Sequence, residues 1–434
     1  MKSHNNDQWS SVKKYVFKFF FIFLFLVVYQ MFSRFLFRFF FGEDNMDFLY
    51  FPSFFVQNYI LQLHEVPIWT HLLSGGTDTL DDWVQQLAFI LLALIVAGIW
   101  TLLDRKRRNH ETLYQWTKVA VRYFLGSVML LYGLNKLFLI QMQYPKLSHF
   151  YTPLGDFKPM DLAWTFFGYS PPYEFIGGFL EFLAAILLFF RRSTLVGLLI
   201  FLGVMSNVLM FNYFYGVAVK IFSTTLVLMG LFLFVEYIPK LINFLLLQKS
   251  AKIEVTQLNL ITPWKKKARL ILKYGYISVG LVALIILHIQ INSRLNNYTP
   301  IEIEGAYDVH SFTVNGKENK DYFDEHRWNQ VIVNRSLDGS SSSGHIALGT
   351  TKRELASFEI DSLHRLRVVF AKDSSLIFRG SHRKVDDTFV WTGQVSEDSI
   401  KMVLKRNKRE LILHETPIKL IMDTGEAENL RTRK

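Results

Sequence analysis

Seven runs of about twenty apolar residues fill the first two thirds of this chain, and no other feature constrains its fold so strongly. A backbone in hydrocarbon finds no water, so it must bond its own N–H and C=O groups, and crossing ~30 Å takes roughly 20 helical residues. The runs lie within Tyr15 to Phe41 and at about Val84 to Leu103, Ala120 to Ile140 and Phe175 to Phe190, then at Thr194 to Asn212, Val217 to Val235 and Leu270 to Ile291. The first continues into more Phe without a small-residue cleavage site, so it reads as an anchor and not a removed signal peptide.

Basic residues alternate between the connections. Lys13, Lys14 and Lys18 open the first run, Arg105 to Arg108 follow the second, Arg191 and Arg192 follow the fourth, and Lys265, Lys266, Lys267 and Arg269 precede the seventh. The positive-inside rule then places the N-terminus in the cytoplasm and the C-terminal domain outside the inner (cytoplasmic) cell membrane. Arg34 and Arg38 are the misfit, falling toward the outer end of the first span. The formal charge of +11 belongs to this membrane part, because residues 295–434 carry 21 Lys/Arg against 21 Asp/Glu. Charge clustered beside apolar runs sets orientation in a bilayer and argues against nucleic-acid binding. The chain has no Cys, which excludes disulfides, thiolate metal sites and thiol redox chemistry.

Ionisable residues within a span cost at least ~2.5 to 3.5 kcal/mol on insertion scales and normally face the bundle interior. Lys136, Glu181, Asn207 and Lys220 all fall in the outer third of the expected bilayer, so a polar cluster in which Lys136 or Lys220 pairs with Glu181, buttressed by Tyr132 and Asn207, is the ligand-site candidate. The alternative is a set of packing contacts and interfacial snorkelling. Arg122 sits near the cytoplasmic end, apart from that set. No metal site is expected: His64 and His71 lack carboxylates at metal spacing, and His288 stands alone in the seventh span as a packed or interfacial ring.

Three segments follow in order on these spans: LDRKRRNHETLYQWTKVAVRYFLGSVMLLYGLNK (103–136), WTFFGYSPPYEFIGGFLEFLAAILLFFRR (164–192) and NYFYGVAVKIFSTTLVLMGLFLF (212–234). With SGGTDTLDDWVQ ahead of them, the stretch from about residue 80 to 240 resembles the DoxX-like membrane protein family. The resemblance implies a four-helix membrane unit, with Arg122, Lys136, Glu181 and Lys220 at family-motif positions. Some such proteins are linked to quinone-coupled sulfur oxidation or act beside redox partner proteins, so a quinone is the implied cofactor. The absence of Cys, and of a His pair within the spans, argues against electron transfer by this chain alone.

From residue 298 the period changes to two. AYDVHSFTV, RWNQVIV, HIALG, LASFEI, LRVVF, SLIFRG, TFVWTGQV, SIKMVLK and ELILHE alternate apolar with polar residues and are separated by turn residues, including a flexible Ser340 to Gly344. Eight or nine strands at this spacing describe an antiparallel barrel, with either a filled core or a lumen for a small apolar ligand. Residues 1–83 therefore read as anchor and outer loop, 84–248 as the DoxX-like helical domain, 249–297 as basic loop and last span, and 298–434 as an extracytoplasmic β-domain. With no acid/base pair, nucleophile elbow or phosphate loop in that domain, the expected function is an accessory or binding component of a redox or lipid-linked membrane system. A quinone-binding oxidoreductase subunit and a small-molecule or lipid transporter are the rivals.

Overall fold

The change of period near residue 298 is also the change of architecture. The computed structural model describes residues 8–41, 78–250, 262–297, 299–336, 339–350 and 352–415; His64 and His71, and the side chains of Arg34 and Arg38, lie outside what is described. Contacts divide the chain into two units, Met1–Asn135 with Ile176–Leu284 and Lys136–Phe175 with Ile285–Lys434.

The first unit is helical. Its long helices are α1 (Ser11–Phe41), α2 (Leu80–Leu103), α3 (Glu111–Leu137), α6 (Pro171–Phe189), α7 (Thr194–Phe214), α8 (Lys220–Phe234) and α10 (Pro263–Asn296), with the short α9 (Ile238–Leu245) after α8. Among the described residues, five stretches are long and apolar enough to cross a membrane, Asp82–Leu103, Pro171–Phe189, Thr194–Phe214, Lys220–Leu245 and Pro263–Leu295, which makes this a multi-pass membrane protein. Seven were expected. The third run falls short in α3, which contains Lys118, Arg122 and Lys136; the first run continues past Gln30 into residues whose side chains lie outside what is described, and its described part follows Lys13 and Lys14 and contains Lys18.

Small residues set the helix crossings, as expected where no hydrophobic force separates helix from lipid. A Cβ on Gly133 of α3 would lie 2.7 Å from the Phe182 nitrogen and 3.0 Å from the Gly178 oxygen of α6, so only glycine permits that approach. A capping box starts α2: the Thr79 hydroxyl and the Asp82 carboxylate bond each other's backbone N–H. At the other end of α2, the Trp9 N–H donates to the Arg108 carbonyl (3.1 Å) and Lys14 Nζ to that of Arg107 (2.8 Å), so the N-terminal segment is stitched to the basic α2–α3 connection.

The second unit is a closed barrel. Its strands are β1 (Gly305–Val314), the two-residue β2 (Lys317–Glu318), β3 (Trp328–Val333), β4 (Ser341–Leu348), β5 (Lys352–Ile360), β6 (Arg365–Phe370), β7 (Ile377–Val385), β8 (Thr388–Val395) and β9 (Asp398–Arg406). From β3 onward each strand pairs antiparallel with the next, and β1 pairs with both β3 and β9, which closes eight strands and leaves β2 as an appendage. The alternation that marks the strands places Leu366, Val368 and Phe370 of β6 inside, beside Phe358, Phe378 and Trp391, so the core is filled with side chains. Burying each such residue contributes roughly 1.5 to 3 kcal/mol. Asn315 and Gly316, at φ of 50° and 78°, make the tight β1–β2 turn their sequence announces.

Two expectations fail here. Ser340 to Gly344 is not a loop: β4 starts at Ser341, and Gly344 pairs with Val333 where a Cβ would strike the Ile332 carbonyl, so the serines continue a strand that glycine lets run close to its neighbour. ELILHE is not a ninth barrel strand, because β9 has already found β1 and no edge remains; Ile412–Glu415 forms one helical turn, α11, instead.

The segment between α3 and α6 joins this unit. It contains α4 (Leu147–Phe150) and α5 (Pro159–Tyr169). The Ser148 N–H donates to Asn334 Oδ1 (2.8 Å), Tyr151 packs on Ala306 and Ile332, and Arg353 reaches the Tyr151 carbonyl (3.1 Å) and the Asp156 carboxylate (3.2 Å). His288 is buried with its ring 5.6 Å from that of Phe138, the packed histidine expected from its isolation in sequence.

Candidate functional site

The polar residues of the expected cluster have the following described neighbours. Tyr132 of α3 and the buried Glu181 of α6 lie within electrostatic reach of each other, close to the Gly133 crossing. Lys136 acts on the Glu174 carboxylate, which is 3% exposed and accepts a hydrogen bond from the Met142 N–H at 3.0 Å. Lys220 is bound to Asp78, with Nζ 3.2 Å from the carboxylate, which also accepts from the backbone N–H of Lys220 (2.7 Å) and of Ile221 (3.1 Å). Asp78 thus caps α8 and neutralises its first residue at once, and the expected pairing of Lys220 with Glu181 is replaced. Asn207 is exposed on α7, on a face turned away from the packed interior of its unit.

A larger arrangement surrounds Arg122. It lines a cavity of about 1210 Å³ together with residues of α3, the α6–α7 connection, the segment after α8, and α10. Six cations reach the lining (Lys118, Arg122, Arg191, Lys265, Arg269 and Lys273) against one carboxylate, Glu236. That carboxylate is already engaged, 2.8 Å from Lys118 Nζ. Arg122 is 8% exposed; Nη1 donates to Thr194 Oγ1 at 3.4 Å, and among the described residues Nε meets no acceptor. Burial, and then the Arg269 charge, hold the Arg191 guanidinium below its ordinary pKa, so the cations here crowd one another.

The walls are aromatic. The Arg122 guanidinium lies 5.6 Å from the Tyr123 ring centre, and Lys273 Nζ lies 4.1 Å from that of Phe190. Tyr276 bonds Ser127 (2.7 Å) and packs 5.7 Å from Tyr123, which seats α10 against α3. Cations in excess of carboxylates among the described lining residues, within apolar and aromatic walls, favour a ligand with an anionic head and an apolar body.

Arg122 was visible in the sequence as a motif position, but Arg191 and Arg269 read there only as orientation signals. Lys273 carried a signal that went unused: it falls inside the run expected to span from Leu270 to Ile291, and a cation within a span is a site candidate by its cost alone.

No family model matches the chain, and no solved structure matches it. The chain is similar to the uncharacterized protein YwoB of Bacillus subtilis (strain 168), at 37% identity over 134 residues that make up 30% of this chain and 84% of that protein.

Proposed function

This chain belongs to the family of the Bacillus subtilis protein YwoB, and we propose that it is an accessory, non-enzymatic component of a lipid-linked membrane system whose helical unit binds an anionic lipid. The observation that carries this is the excess of cations over carboxylates around the Arg122 cavity, within aromatic walls. A neutral quinone would leave those charges uncompensated, so the lipid reading is preferred over a quinone-binding subunit. The ordered motifs around Arg122, Lys136, Glu181 and Lys220 support placing the chain with DoxX-like proteins.

The membrane is the inner one, with the N-terminus cytoplasmic and the barrel outside. The alternating basic connections support this orientation. So does the packing of Lys136–Phe175 in one unit with the barrel, since that orientation assigns both to the same face. The cavity then opens at the cytoplasmic level, where anionic headgroups concentrate.

The test is native mass spectrometry of the full chain released from anionic vesicles in mild detergent. Phosphate-bearing lipid should stay bound to the parent at one per chain and be depleted by at least about tenfold in Arg269→Gln/Lys273→Gln, consistent with loss of two headgroup contacts. Equal retention of neutral and anionic lipid, or recovery of a quinone without anionic lipid, would overturn the reading.

A further inference from the structure

One end of the barrel brings together three metal-ligating side chains that the sequence keeps far apart. Glu302 lies in the segment entering β1, His364 in the β5–β6 turn and His382 on β7, and one ligand atom from each falls within 4.8 Å of the other two. Glu302 Oε2 is 3.1 Å from His382 Nε2 and 4.0 Å from His364 Nδ1.

The fold explains how each is placed. Phe378 and His382 are the buried residues of β7, so the imidazole points into the barrel while Arg379 and Arg383 point out. Ile301 and Ile303 are buried in the core on either side of Glu302, which presents the intervening carboxylate at the barrel mouth, 44% exposed. His364 is 77% exposed, its ring centre 6.1 Å from that of His382.

His382 has a ring fixed by packing, with Nε2 turned toward Glu302. Its side chain is 1% exposed, Phe389 packs 6.3 Å away, and its Nδ1 is buried with no hydrogen-bond partner among the described residues. The deeper ligand is thus oriented by packing, and the two shallower ones are free to adjust.

We propose that Glu302, His364 and His382 form a binding site for a divalent transition-metal ion, zinc by donor preference, on the barrel. Two imidazoles and one carboxylate are a borderline nitrogen/oxygen donor set suited to that ion at ~2.0 to 2.2 Å. Ligands of a tetrahedral ion at those lengths lie roughly 3.4 Å apart, so closing on the ion needs only the exposed His364 ring to move by about an ångström. Three protein ligands leave a fourth position facing water.

The test uses the full chain in detergent, titrated with Co²⁺ as a spectroscopic stand-in for Zn²⁺. The parent should develop the visible absorption of a low-symmetry cobalt site at one equivalent, reversed by Zn²⁺. His364→Ala and Glu302→Gln should each weaken binding by at least about tenfold, as losing one of three ligands requires. Both positions are exposed, so the barrel should keep its amide exchange protection; His382→Ala, which risks the core, is not needed. An intact parent barrel without the cobalt signature, or binding unchanged in both variants and so seated on other histidines, would overturn the proposal.

Discussion

Asp78 and Lys220 meet across 142 positions of sequence, at 3.2 Å, and the same carboxylate caps the helix that Lys220 begins. The Asp78 side chain is 6% exposed and that of Lys220 is 23% exposed, so the pair is largely desolvated. Asp78→Ala removes a cap and strands an ammonium, which should cost about 2 to 4 kcal/mol in thermal stability in detergent. Asp78→Ala/Lys220→Met should recover a good part of that loss. If Asp78→Ala melts like the parent, the pair does not hold the start of α8.

The Gly133 crossing predicts a steric effect with no charge involved. A Cβ there meets backbone of α6, which cannot swing aside as a side-chain end would. Gly133→Val should therefore destabilise by at least about 1 to 3 kcal/mol, whereas Gly98→Ala, with open space around it, should be neutral or slightly stabilising. Comparable melting of the two variants would refute the close approach of α3 to α6.

Acid should loosen the barrel through His345. Burial first, then the His149 charge, hold the His345 ring below its ordinary pKa of about 6.5. The unfolded chain then binds protons that the folded one refuses, so this contribution is present above about pH 6.5 and declines as pH falls through and below that value. Amide exchange of β3 and β4 should accelerate between about pH 7 and pH 5 beyond the intrinsic chemistry, and His345→Gln should flatten the slope. An unaltered slope in His345→Gln would assign the effect to other groups.

Residues 298–434 expressed alone should still show β-type circular dichroism, since all eight barrel strands lie within them. They should be less stable than in the full chain, because the surface of Ala306 and Ile332 loses Tyr151, and Asn334 loses Ser148. Adding residues 136–175 as a separate peptide should restore protection at β3. A tail that is as stable alone as in the full chain would contradict that packing.

What the sequence made legible was what depends on neighbours. Strand alternation needs only residues two apart, and Asn315-Gly316 needs only itself, so the barrel emerged strand by strand; apolar runs needed only length. The site was less legible because depth along a helix says nothing about azimuth. Lys220 was expected at the level of Glu181, yet it faces Asp78 at the start of another helix, and Glu174, on which Lys136 acts, reads as an ordinary acidic first turn behind Pro171 and Pro172. Glu302, His364 and His382 are brought together only by barrel closure, which no local period encodes.

The stitching of Lys136–Phe175 to the barrel has a consequence for biogenesis. Ser148 leaves the ribosome 186 residues before Asn334, the group that accepts its hydrogen bond. At about 5 to 20 residues per second, that is a wait of roughly 10 to 40 s. During it the connection, with Tyr151 and Phe150, stands without the sheet it will rest on, while the four long helices α6, α7, α8 and α10 are made. The second unit therefore matures last and as a whole: a chain stopped short of β9 lacks both the strand that closes the barrel and the finished platform for a segment translated long before, so late truncations should be felt at residues 136–175.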